Sequence, residues 1–173
     1  MIHAELTPGA ENSGRLILLL KQEAAKAAQA DGAEIILSDG TPGIGCPVIK
    51  PWNKEAVFEK LDVLNANGIF AAGMDVDGAG LPFLKAMNPN AGSKSVDEMR
   101  EIISYARMPF IVKGIMTVRG AEKAVEAGAA AIVVSNHGGR VQGGVPSTAE
   151  VLPEIAAAVK GKTTVLVDGG IRS

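Results

Sequence analysis

The stretch PFIVKGIMTVRGAEKAVEAGAAAIVVSNHGGR, residues 109–140, decides the fold. PFIVKGI (109–115) is a short apolar run with β-branched residues. Thr117 to Ala127 is rich in helix formers and ends at Gly128, a helix stop. AAAIVVS (129–135) is a second apolar run. Neither run alternates apolar with polar residues, which predicts strands buried on both faces, as in a parallel sheet flanked by helices.

The same grammar extends in both directions. Downstream, Thr148 to Lys160 reads as a helix stopped by Gly161 and followed by the strand-like TTVLVDGG (163–170). Upstream, Ser95 to Ala106 opens with Ser95 and Glu98 at capping-box spacing. Asn53 to Asn67 places Ala56, Val57, Leu61 and Leu64 at helical intervals and leads into IFAAGMDVD (69–77), read as a strand. AEIILS (33–38) and CPVIKP (46–51) read as short extended segments around the turn-rich DGTPGIG (39–45), and Arg15 to Ala30 as a helix. Residues 1–14 lack periodicity and read as a loose entry segment without a function.

Composition narrows the classes. In 173 residues, 47% hydrophobic and only 3% aromatic, the 21 Gly and abundant Ala and Val suit close packing of helices on strands and argue against disorder. Lys and Arg number 17 against 19 Asp and Glu, so the basic surface expected of a nucleic-acid binder is absent and an anionic ligand has to be gripped locally. The longest apolar runs, Leu16 to Leu20 and Ala127 to Val134, fall short of the roughly 20 residues of a membrane span. The start of the chain does not read as a signal peptide. The single Cys46 excludes an internal disulfide and points to a reducing, cytoplasmic home.

Polar residues gather where the strands end: Asp75 and Asp77, Lys113, Ser135 to Arg140, and Asp168 to Arg172. In parallel α/β architectures the carboxyl ends of strands open into the ligand site, so these groups would converge on one mouth. Loop residues are also polar simply because loops face water, and for any single position both readings stand. SNHGGR (135–140) concentrates the chemistry. Its histidine can take a proton near neutral pH, its arginine can clamp a carboxylate through two parallel hydrogen bonds, and its glycines let backbone approach a ligand.

Taken with KGI (113–115) and DGGIR (168–172), SNHGGR resembles the FMN-dependent α-hydroxy-acid-oxidising family, which includes glycolate oxidase, lactate oxidase and flavin-linked lactate dehydrogenases. The resemblance runs from about Lys50 to Ser173. It implies an α/β fold of the TIM-barrel (β/α)8 type, with FMN as cofactor and a small 2-hydroxy acid as substrate, oxidised to the 2-oxo acid. It also implies roles. His137 would be the active-site base, paired with Asp77 and in contact with the substrate, and Arg140 would bind the substrate carboxylate. Lys113 would lie near flavin N1 and O2, and Ser135 would be a further cofactor-binding residue. Asp168, Gly169, Gly170 and Arg172 would meet the ribityl chain and phosphate. No metal is implied.

The chain departs from the family pattern at several places. Val141, Gln142, Gly143 and Gly144 follow SNHGGR where many relatives have Gln-Leu-Asp, and Asp75 stands where a threonine or serine is common. CPVIKPWNK (46–54) holds no tyrosine where several oxidases place one. Lys50 and Trp52 lie there but receive no role, and Tyr105 reads as structural. A whole (β/α)8 barrel takes about 250 residues, so residues 1–173 are expected to form one partial domain, a truncated barrel with about strands 3 to 7. Two alternatives remain open: an inactive partial barrel that associates through its open edges as a homo-oligomer, or another FMN-binding barrel enzyme.

Overall fold

A computed structural model describes residues 46–67, 69–141 and 144–169. Contacts divide the chain at Gly45 and Cys46, and the described residues lie in the unit Cys46–Ser173. The segment 1–14, the helix 15–30 and the strand 33–38 expected from sequence lie outside them.

Strand β1 (Val48–Ile49) precedes helix α1 (Lys54–Ala66), which starts where the Asn53 side chain accepts a hydrogen bond from the Ala56 N–H at 3.1 Å. β2 (Ala72–Asp75) ends in a 3-10 turn, Val76–Gly80, followed by the one-turn helix α2 (Pro82–Lys85). Helix α3 (Val96–Tyr105) begins with the capping box expected of Ser95 and Glu98. The Glu98 N–H donates to Ser95 Oγ and the Ser95 N–H donates to Glu98 Oε2. β3 (Phe110–Ile115), α4 (Val118–Glu126), β4 (Ala131–Val134), α5 (Thr148–Ala158) and β5 (Thr164–Val167) complete the alternation. Ser147 and Glu150 form a second capping box at the start of α5, at a site the sequence reading passed over.

The five strands pair in the order β1-β2-β3-β4-β5, and every pair is parallel. A doubly wound sheet reverses strand order at a switch point. This sheet does not, and its consecutive order is that of an arc of a (β/α)8 barrel. Phe110, Leu61, Met74, Ile132 and Ile155 are among the largest fully buried side chains. Each such side chain contributes roughly 1.5–3 kcal/mol relative to exposure.

The strands are shorter than their apolar runs. IFAAGMDVD gives only Ala72–Asp75, because the chain turns into the 3-10 segment after Asp75 and carries Asp77 inward. Burial on both faces holds for β2, whose four residues are all buried, but not for β5, where Leu166 and Val167 are exposed. Among the described residues β5 pairs only with β4, so it is an edge. Tyr105 is structural, as expected: its hydroxyl donates to Asp62 Oδ1 at 2.6 Å, and its ring lies 4.4 Å from that of Phe58, joining α3 to α1. Among the described residues no helix is long and apolar enough to cross a membrane.

Candidate active site

The parallel register brings the carboxyl ends of the strands to one edge of the sheet. Asp75 on β2 lies opposite Lys113 on β3, and Lys113 lies opposite Val133 on β4. Beyond Lys113 the register shifts at Gly114, which has φ +94°. A Cβ built at Gly114 would run into the Asp77 carboxylate. Gly114 is therefore required twice, for a backbone conformation that L-residues rarely adopt and for the space the Asp77 side chain occupies.

That space lets Asp77 reach His137. The Nδ1 atom of His137 lies 2.6 Å from Asp77 Oδ2. A carboxylate can only accept, so Nδ1 carries the proton and donates it, leaving Nε2 as the ring's basic nitrogen. His137 itself has φ +53°, an unfavourable conformation for a side-chain-bearing residue. The following Gly138 and Gly139 have φ +63° and +77°, and among the described residues a Cβ at either would meet nothing within 4 Å. These three residues make a left-handed turn. The turn is pinned by Asn136 Oδ1, which accepts from the Gly138 N–H at 3.0 Å, and by Arg140, whose Nε donates to the His137 carbonyl at 2.9 Å.

A second cluster sits beside the first. Lys113 Nζ donates to Ser135 Oγ at 2.6 Å and to Asp168 Oδ2 at 2.5 Å, tying β3 to the ends of β4 and β5. Ser135 is fully buried, and Gly169 accepts from Thr148 Oγ1 at 3.4 Å. Burial alone would raise the Asp168 carboxyl. The hydrogen bonds from Lys113 and Ser135, with the charges of Lys113 and His137, outweigh it and hold the group below its ordinary value. A depressed folded value gives stability that is present above the unfolded carboxylate value, near pH 4, and is lost as pH falls through the folded one. Asp168→Asn should therefore be less stable than the parent at pH 7, with the gap closing below about pH 4. Asp168 is half exposed, so screening keeps the gap within about 1 kcal/mol. Urea unfolding of both chains across pH measures it, and a gap that persists in acid contradicts the assignment.

Of the residues singled out from sequence, the fold brings together Asp77, Lys113, Ser135, His137, Arg140, Asp168 and Gly169, whereas Gly170 and Arg172 lie outside the described residues. Two residues to which the sequence assigns no role join them. Asp75 is 1% exposed and accepts a hydrogen bond from Lys50 Nζ through Oδ2, the same oxygen that lies 3.4 Å from His137 Nε2. Lys50 had no role in the sequence reading, because its partner is 25 residues away. Among the described residues, Oδ1 of Asp75 and Oδ1 of Asp77 are buried without a hydrogen-bond partner. Buried orphan acceptors are costly unless a donor arrives.

Residues 51–173 match the FMN-dependent dehydrogenase family. An L-lactate oxidase of Nostoc sp. is 47% identical over 90 residues, covering 52% of this chain and 24% of that protein. A 2-hydroxyacid oxidase of Dictyostelium discoideum is 38% identical over 116 residues, covering 67% of this chain and 27% of that protein. Among solved structures, a mandelate oxidase variant with an FMN adduct superposes with a TM-score of 0.64 at 31% identity, over 87% of this chain and 52% of the other. The chain thus spans about a quarter of the length of these curated relatives and about half of that oxidase. With the strand-end cluster and a match over residues 51–173, the chain belongs to the FMN-dependent dehydrogenase family.

Proposed function

We propose that the strand-end cluster serves the FMN-dependent oxidation of a small 2-hydroxy acid to the corresponding 2-oxo acid. The observation that carries this reading is the His137–Asp77 pair, with Arg140 hydrogen-bonded to the same turn. His137 Nε2 takes a proton from the substrate. Asp77, across the ring, fixes the tautomer that leaves Nε2 basic and stabilises the cation formed when it is loaded. Arg140 binds the substrate carboxylate, and its anchor on the His137 carbonyl couples substrate placement to base placement.

The residues present suit FMN. Lys113 is a cation fixed at a strand end by Ser135 and Asp168, able to face the electron-rich edge of the ring without reorganising. Among the described residues, nothing lies within 4 Å of a Cβ placed at Gly138 or Gly139. Asp168, Gly169 and Gly170 would meet the ribityl chain and Arg172 the phosphate. When bound, FMN supplies the acceptor for the two electrons that leave the substrate. Anaerobic mixing of the flavin-loaded chain with L-lactate, glycolate and mandelate tests the reading. At least one should bleach the visible flavin band and yield its 2-oxo acid, and failure of all three counts against it.

A second reading, a partial barrel that pairs through its edges, draws on the exposed Leu166 and Val167 of β5. A chain that binds no flavin and forms dimers would favour it.

A further inference from the structure

We propose that Asp75 and Lys50 form a positioning pair that sets the proton affinity of His137 from its Nε2 side, opposite Asp77. Asp75 Oδ2 stands 3.4 Å from Nε2, close enough to attract a positive charge on the ring and too far to make the hydrogen bond that Asp77 makes. The same oxygen accepts from Lys50 Nζ. Asp75 is almost wholly buried and His137 largely so, which limits screening between them, whereas the partly exposed Lys50 is screened more by water.

The two residues pull in opposite directions. With a neutral ring, Asp75, Asp77 and Lys50 together carry one net negative charge, and a proton on Nε2 cancels it. Asp75 favours the loaded ring. Lys50 offsets Asp75 and keeps the two carboxylates from holding the ring permanently protonated, a state in which it could accept nothing. Other charges near the ring come from neighbouring elements: Asp77 after β2, Lys113 on β3, Asp168 after β5, and Arg140 on the ring's own turn. Lys113 and Asp168 are paired to each other, so their fields largely cancel at the ring. The Lys50–Asp75 pair is thus the adjustable element. Its influence on turnover rests on the base role proposed above, whereas its influence on proton uptake does not.

The chain's two histidines are His3 and His137. In the full chain with His3→Gln, the remaining imidazole can be followed through pH by NMR without flavin or substrate. Asp75→Asn should lower the midpoint of proton uptake and Lys50→Met should raise it, each by about 1 to 3 pH units. The double variant, which restores the net charge, should return close to the parent. Lys50→Arg keeps the charge and should leave the midpoint in place, which separates charge from side-chain shape. Midpoints that do not move, or that move the same way in both single variants, overturn the proposal. A chain that titrates as expected but oxidises no hydroxy acid would overturn the proposed function and leave this inference standing.

Discussion

Replacing His137 with asparagine should lower 2-hydroxy-acid oxidation by about 10²- to 10⁴-fold, the usual contribution of a positioned general base, while FMN affinity stays within a few-fold of the parent. Asparagine is the informative choice. His137 sits at φ +53°, and among side-chain-bearing residues asparagine tolerates that region best, so the turn that carries Gly138, Gly139 and Arg140 should survive. The substitution removes the basic nitrogen and abandons Asp77, whose Oδ2 then loses its 2.6 Å partner. Lys113, Ser135 and Asp168 hold one another through bonds that do not involve the imidazole ring, which is why flavin affinity should persist. Stopped-flow reduction with substrate and a separate flavin titration resolve the two effects. Turnover within a few-fold of the parent would mean that another group takes the proton.

Gly114→Ala should be the most damaging single change outside the reacting groups. A left-handed backbone costs an L-residue roughly 1–2 kcal/mol, and the new Cβ would displace the Asp77 carboxylate from its place against His137. Gly144 provides the control. Its φ is +73° and among the described residues a Cβ there meets nothing within 4 Å, so Gly144→Ala is expected to carry the backbone cost alone. Denaturant unfolding should therefore show a larger loss for Gly114→Ala than for Gly144→Ala. Hydroxy-acid oxidation should fall steeply in the first and little in the second. Equal losses in both measurements would remove Gly114 from the account of how Asp77 is placed.

Much of this was legible in the sequence, for local reasons. Ser95 and Glu98 cap a helix through contacts three residues apart, and a capping box reads directly from spacing. The non-alternating runs marked β2 as buried throughout and β4 nearly so, whereas β3 keeps Ile111, Lys113 and Gly114 only half-buried. SNHGGR carried the family resemblance and with it the pairing of His137 with Asp77, 60 residues apart, which no periodicity could supply. What escaped was set by tertiary register. Lys50 reads as one lysine after a short apolar segment, and Asp75 as one of several strand-end polar groups, standing where a threonine or serine is common and with no partner named. Only the parallel pairing of β1 with β2 places them together and buries Asp75 against the histidine. The exposure of β5 was hidden for the same reason, since TTVLV looks like any buried strand until its neighbours are known.

If the carboxyl ends of β2 to β5 form one flavin-dependent site, FMN titrated into the purified chain and into its Lys113→Met variant, followed in the visible spectrum, should tell the two apart. The parent chain should bind saturably at one FMN per chain with a perturbed flavin band, and the variant about tenfold or more weakly, the loss expected for one charge-assisted hydrogen bond. FMN that stays free in the parent at saturating concentration, or binds equally well without Lys113, would contradict such a site.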